Sequence, residues 1–169
     1  MRVVVPYTPG MLSAAVPYAL RAHPADVVEW RPTEGERGYW DLMRGLWREG
    51  RSFVVVEQDV VPWPGAVEAL WACPSDWCCH DYSDEGVPSP MLGCTKIGAG
   101  LIARNPGIWD GRPRGGFSAG IDMHLWERCS PGADPHFHHP PVTHLRCGFP
   151  PRHHLDRIVG PLRGGPPSP

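Results

Sequence analysis

The sequence predicts a single α/β domain with a mostly parallel central sheet flanked by helices. Strand and helix signals alternate through residues 1–72, the cadence of crossover-connected parallel strands. Phe53–Val56 is a continuous apolar run of the kind used by a strand covered on both faces. The chain has 169 residues, 41% of them hydrophobic, enough for one core of ordinary domain size.

Each element has its own reason. Residues 2–6 (RVVVP) read as a short buried strand stopped by Pro6, with a PYTPG turn behind it. Met11 to Ala22 predicts the first helix, in which Pro17 requires a late start or a kink. Asp26–Trp30 (DVVEW) is the second strand. Tyr39 to Glu49 is helical because Trp40, Met43, Leu46 and Trp47 recur at three- and four-residue spacing. Phe53–Val56 follows, ending in Glu57-Gln58-Asp59 and Val60-Val61-Pro62, and then a helix from Gly65 to Ala72.

The second half is less regular. Met91–Ile102 (MLGCTKIGAGLI) predicts a strand and a bend, its glycines permitting close backbone approach. Ile121 to Glu127 reads as a short helix, and 131–154 is rich in Pro and His with little periodicity. The expected organisation is one domain over 1–154 and a Pro/Gly-rich tail over 155–169.

Composition narrows the classes. The 20 glycines and 22 prolines are spread between apolar runs, which excludes collagen-like and coiled-coil chains. No apolar stretch is long enough for a membrane span. The net charge of −2 supplies no general attraction to nucleic acid or anionic membranes. Lys96 is the only lysine, the other basic residues being arginine. The six cysteines read as reduced, mostly buried thiols of a cytoplasmic protein, because Met1 runs straight into an apolar strand with no signal-peptide pattern.

Chemistry concentrates after the third strand. Glu57-x-Asp59 stands where that strand leaves the sheet, and the carboxyl edge of a parallel sheet is where ligands bind. Alternation puts both carboxylates on one side. They repel unless a cation, a proton or a basic group intervenes, and a hard divalent ion suits such oxygens. A pair that merely ends a strand at the surface is the competing reading.

RVVVPYTPG, FVVVEQDVVPWPGAVEAL, MLGCTKIGAGLIAR and GIDMHLWE together resemble a small nucleotide-sugar-dependent glycosyltransferase of the GT-A superfamily, over roughly residues 2–146. The resemblance implies a GT-A-like, Rossmann-related fold. It implies transfer of a sugar from a nucleoside diphosphate donor, with UDP expected, to a hydroxyl acceptor, with inversion. Tyr7 and Thr8 then become nucleoside-pocket candidates. Glu57 and Asp59 occupy the acid-x-acid positions, with Glu in place of the commoner first Asp. Asp59 would bind Mn²⁺ or Mg²⁺, and His144 would return to the same ion.

Asp122, after a glycine-rich loop, is the implied catalytic base; equally, an Asp at a helix start caps free amides. Arg31, Lys96, Arg104 and Arg146 are the candidates for diphosphate neutralisation, with Lys96 assigned to the donor. Trp63, Trp77, Trp109 and Trp126 are stacking candidates, at least half of them expected in the core. His136-x-His138-His139 is unusual in composition, but no Cys/His set shows the paired spacing of a structural zinc site. The acceptor region is expected in the acidic 76–90 loop and in 107–144; the acidity of that loop argues against a nucleic-acid acceptor bound there. Two other classes compete: a non-catalytic nucleotide- or carbohydrate-binding module, and a metal-dependent phosphoester hydrolase.

Overall fold

The computed structural model describes residues 1–24, 26–80, 92–111, 119–138 and 142–145. The 155–169 tail, Arg146 and most of the acidic loop lie outside them. The elements in chain order are β1 (Val3–Tyr7), α1 (Ala15–Leu20), β2 (Val28–Pro32), α2 (Gly35–Glu49), β3 (Phe53–Val56), β4 (Val60–Pro62), α3 (Ala66–Ala72), β5 (Trp77–His80), β6 (Cys94–Ile97), α4 (Ala99–Arg104), α5 (Ala119–Cys129), β7 (His136–His138) and β8 (Val142–His144).

Six strands form the main sheet in the order β2-β1-β3-β6-β5-β7, and β4 pairs with β8 in a small second sheet. β1 runs parallel to β2 and β3, as the strand–helix cadence predicts. The expectation of a mostly parallel, Rossmann-related sheet is nevertheless overturned. β6 lies antiparallel to both β3 and β5, so the sheet is mixed. The physical reason is that an apolar run buried on both faces has the same pattern in either direction; composition reports burial, not polarity.

Alternation along β1 and β3 divides the core. Val3, Val5, Val54 and Val56 face α1 and α3, where Val16, Leu20, Val67 and Leu70 pack. Val4, Phe53 and Val55 face the other way, toward α2, α4 and α5. The predicted stripe Trp40, Met43, Leu46 and Trp47 is wholly buried there, and α2 ends at Gly50 with φ 68°, the left-handed conformation that glycine takes without penalty. Phe53, fully buried on the central strand, makes a direct test: Phe53→Ala removes its packing and costs about 3–5 kcal/mol, read from urea unfolding midpoints.

Of the two alternatives for Pro17 the structure takes the late start, and one glycine of the 91–102 segment makes the close approach expected there. α1 starts late, at Ala15, which places Pro17 in the first turn where its missing N–H costs no helical bond. Gly98 sits against Asp76, whose carbonyl accepts from the Gly98 amide at 2.6 Å; a Cβ there would fall 2.7 Å from the Asp76 Cα. Two others need correction. Residues 77–80, assigned to a loop, form the buried strand β5, and the His-rich stretch contributes β7 and β8. No helix among the described residues is long and apolar enough to cross a membrane.

Candidate metal centre

A row of side chains crosses the sheet under α3. Register pairs Val54 with Lys96, Lys96 with Cys78, and Cys78 with His136. Residues in register on neighbouring strands share a face, so Lys96, Cys78 and His136 project together. Alternation adds His138 beside His136 and His80 beside Cys78, and His80 is itself in register with His138. Cys73 enters from above as the C-terminal cap of α3.

The result is a group of two thiols and two imidazoles: Cys73, Cys78, His136 and His138, with one ligand atom from each lying within 4.8 Å of all the others. Cys73 Sγ is 3.3 Å from His136 Nδ1, which is 3.0 Å from His138 Nε2. A tetrahedral Zn²⁺ with bonds of about 2.0–2.3 Å sets its ligand atoms about 3.3–3.8 Å apart, so the spacing is that of a metal site before any large rearrangement. The cysteines are buried and His136 is exposed, which leaves the group open on the side of the edge strand β7.

Burial pushes the Cys78 thiol up to about 12, and its hydrogen bond with Cys73 adds to the rise, while Lys96 and the Ser75 contact oppose it. A divalent ion would displace the thiol protons and add to Lys96 a counter-charge in direct contact with the sulfur atoms. Cys78 Sγ donates to the Ser75 carbonyl at 3.3 Å. The five described cysteines are free thiols, and the vicinal pair is divided: Cys78 joins the cluster, whereas Cys79 alternates to the other face.

Two buried polar side chains support the group. Lys96 Nζ donates to the carbonyl of Cys73. His80 is fully buried, with Nδ1 3.0 Å from the His138 carbonyl and Nε2 3.0 Å from the Ala66 carbonyl at the start of α3. Carbonyls only accept, and a neutral imidazole carries a single N–H, so the neutral ring donates one of these bonds and only the imidazolium donates both.

The expected donor residues gather elsewhere, at the carboxyl ends of β1 and β3. The Thr8 amide donates to Gln58 Oε1 at 2.6 Å, placing Tyr7 and Thr8 beside the Glu57–Asp59 turn. Tyr39 Oη donates to Glu57 Oε1 at 2.9 Å. His144 Nε2 lies 3.3 Å from Asp59 Oδ2, because β8 pairs with β4 and the Leu145 amide donates to the Asp59 carbonyl. Asp122, in the first turn of α5, accepts from the Leu92 amide at 2.9 Å. That bond joins α5 to the segment before β6. Burial and the nearby Asp122 charge push Glu57 up to about 8, against the Tyr39 bond; burial pushes Asp122 up to about 6, against the Leu92 amide. Both carboxyls are thus raised above the ordinary carboxylate range, and they titrate as a pair.

The seven residues expected to bind the donor, hold the metal or act as base thus divide. Tyr7, Thr8, Glu57, Asp59, Asp122 and His144 lie along this acidic edge, while Lys96 belongs to the thiol cluster. Arg31 and Arg104 are paired with Glu29 and Asp76. Of the tryptophans, Trp77 and Trp109 are core residues, Trp126 packs against Trp77, and Trp63 is exposed and donates to Thr143 Oγ1.

The Mn²⁺ or Mg²⁺ expectation is overturned. Among the described residues, the convergent ligand group is the Cys₂His₂ set, and the acidic edge does not bring three ligand atoms together. Thiolate and imidazole select zinc-type ions, whereas Mn²⁺ and Mg²⁺ take oxygen. With the mixed sheet, this removes the metal-dependent GT-A glycosyltransferase reading as well. Sequence spacing missed the centre because its halves, Cys-x₄-Cys and His-x-His, lie far apart and meet only through the parallel β5–β7 pairing. The His-x-His repeat was the available signal: on a strand it aims both rings to one side. Compared with protein-family models, curated proteins and solved structures, the chain matches none.

Proposed function

We propose that this chain is a zinc-binding domain, with the ion held by Cys73, Cys78, His136 and His138. The observation that carries the reading is the convergence of four ligand atoms of zinc-type chemistry from α3, β5 and β7. Two thiolates and two neutral imidazoles neutralise the ion and complete a tetrahedron, leaving no open coordination position. Such a site does structural work. Here it ties the edge strand β7, which pairs only briefly with β5, to the end of α3 and so to the core.

The expected result is one Zn²⁺ per chain by elemental analysis of protein purified without chelator. Co²⁺ substitution should give the intense visible bands of a tetrahedral ion and a sulfur-to-metal charge-transfer band. Protein that takes up neither ion, or a Co²⁺ complex with octahedral bands and no thiolate band, would falsify the assignment.

A further inference from the structure

We infer that Lys96 and His80 are positioning residues of the metal centre, each holding the main chain of a ligand instead of the ion. This rests on the zinc-binding reading and deepens it. Lys96 reaches along the shared face and donates to the carbonyl of Cys73, the residue that closes α3. His80 bridges the carbonyl of His138 on β7 and that of Ala66 at the opposite end of the same helix. α3 is therefore pinned at both ends above the ligands, and the edge strand is pinned beside it.

Burial is what makes these bonds informative. His80 is fully buried and Lys96 is 9% exposed. Burying an ammonium or an imidazole is costly unless its polar atoms find hydrogen-bond partners, which the carbonyls of Cys73, His138 and Ala66 supply here. A solvated surface lysine would not be drawn under a helix to meet a cap carbonyl. The two bonds act on Cys73 and His138, contributed by separate elements, and leave the ligand atoms free for metal. Conformational freedom in α3 and β7 that an ion would otherwise have to remove is thus already restricted, which raises affinity through preorganisation.

The test uses the full chain, with Zn²⁺ affinity read by competition with a chromophoric chelator and geometry read from the Co²⁺ spectrum. Asparagine mimics a histidine through its Nδ1 position and glutamine through its Nε2 position. His80→Asn keeps the donor for the His138 carbonyl and should bind Zn²⁺ within about threefold of wild type. His80→Gln keeps only the Ala66 contact and should bind about 10–100-fold more weakly, with shifted Co²⁺ bands. Lys96→Met, which preserves length without the donor, should lose affinity by about the same factor.

Equal losses for His80→Asn and His80→Gln would mean that the ring only fills space, and would overturn its positioning role. Wild-type affinity and an unshifted Co²⁺ spectrum in Lys96→Met would overturn that of Lys96. A variant that does not fold is replaced by the other position, which tests the same inference independently. Wild-type protein without metal uptake removes the site itself, an outcome distinct from normal wild-type uptake with unaffected variants.

Discussion

Chelation of the bound ion should lower the melting temperature of the wild-type chain by roughly 8–16 °C, and Cys78→Ser should melt near the chelated value with or without added zinc. The size follows from linkage. An ion held at about a thousandfold above its dissociation constant adds about 4 kcal/mol, and a chain of this length moves by about 2–4 °C per kcal/mol. Serine keeps the shape of Cys78, slightly smaller, and a donor for the Ser75 carbonyl, so the main loss is the thiolate ligand. The loss should be local first: amide exchange should quicken in β7 and at the end of α3, the elements joined by the ligands, before it quickens in β1 or β3. Scanning calorimetry with and without chelator checks the first claim. A melt that chelator does not move, in protein shown to carry zinc, would leave the ion with no structural role.

A second large effect is expected at the acidic edge. Wild-type stability should decline between about pH 4.5 and 8, and Glu57→Gln should flatten the decline and be more stable at pH 8 by about 1–2 kcal/mol. The sign follows from proton counts. Glu57 rises from 4.5 to about 8 on folding and Asp122 from 3.8 to about 6. Over that window the folded chain holds protons that the unfolded chain has released, so each step up in pH favours unfolding. Glutamine keeps the shape of the protonated acid and still accepts from Tyr39. At pH 4 the variant and the wild type should therefore be close. Urea denaturation at pH 4, 6 and 8, with chelator present to remove the pH dependence of metal binding, makes the measurement. A wild-type stability that rises toward pH 8 would contradict the arrangement of Glu57 against Asp122.

The acidic edge was legible because its signals are local. Glu57 and Asp59 follow an unmistakable buried strand, and a strand that ends at a sheet edge delivers its next residues there. Asp122 and His144 were picked out as companions, and the fold brings Asp122 to Glu57 and His144 to Asp59. The chemistry assigned to them was not legible, because oxygen ligands near one another do not define an ion until three or more converge. Lys96 shows the complementary failure. Its neighbours in sequence, Thr95 and the glycines, suggested a ligand-facing edge, but its register with Cys78 directs the amine under α3.

Sequence alone determined the elements whose burial repeats at a helical or strand period, the α2 stripe and the two-faced β3, and it limited Pro17 to a late helix start or a kink. These depend on neighbours a few residues apart, and short-range sterics and burial settle them. Only the tertiary structure decided the direction of β6, the pairing of β7 with β5 and the metal centre which that pairing assembles. The reason is physical: strand direction leaves no mark on an apolar run, and Cys73 and Cys78 acquire a meaning only when a strand from the far end of the chain sets two imidazoles beside them.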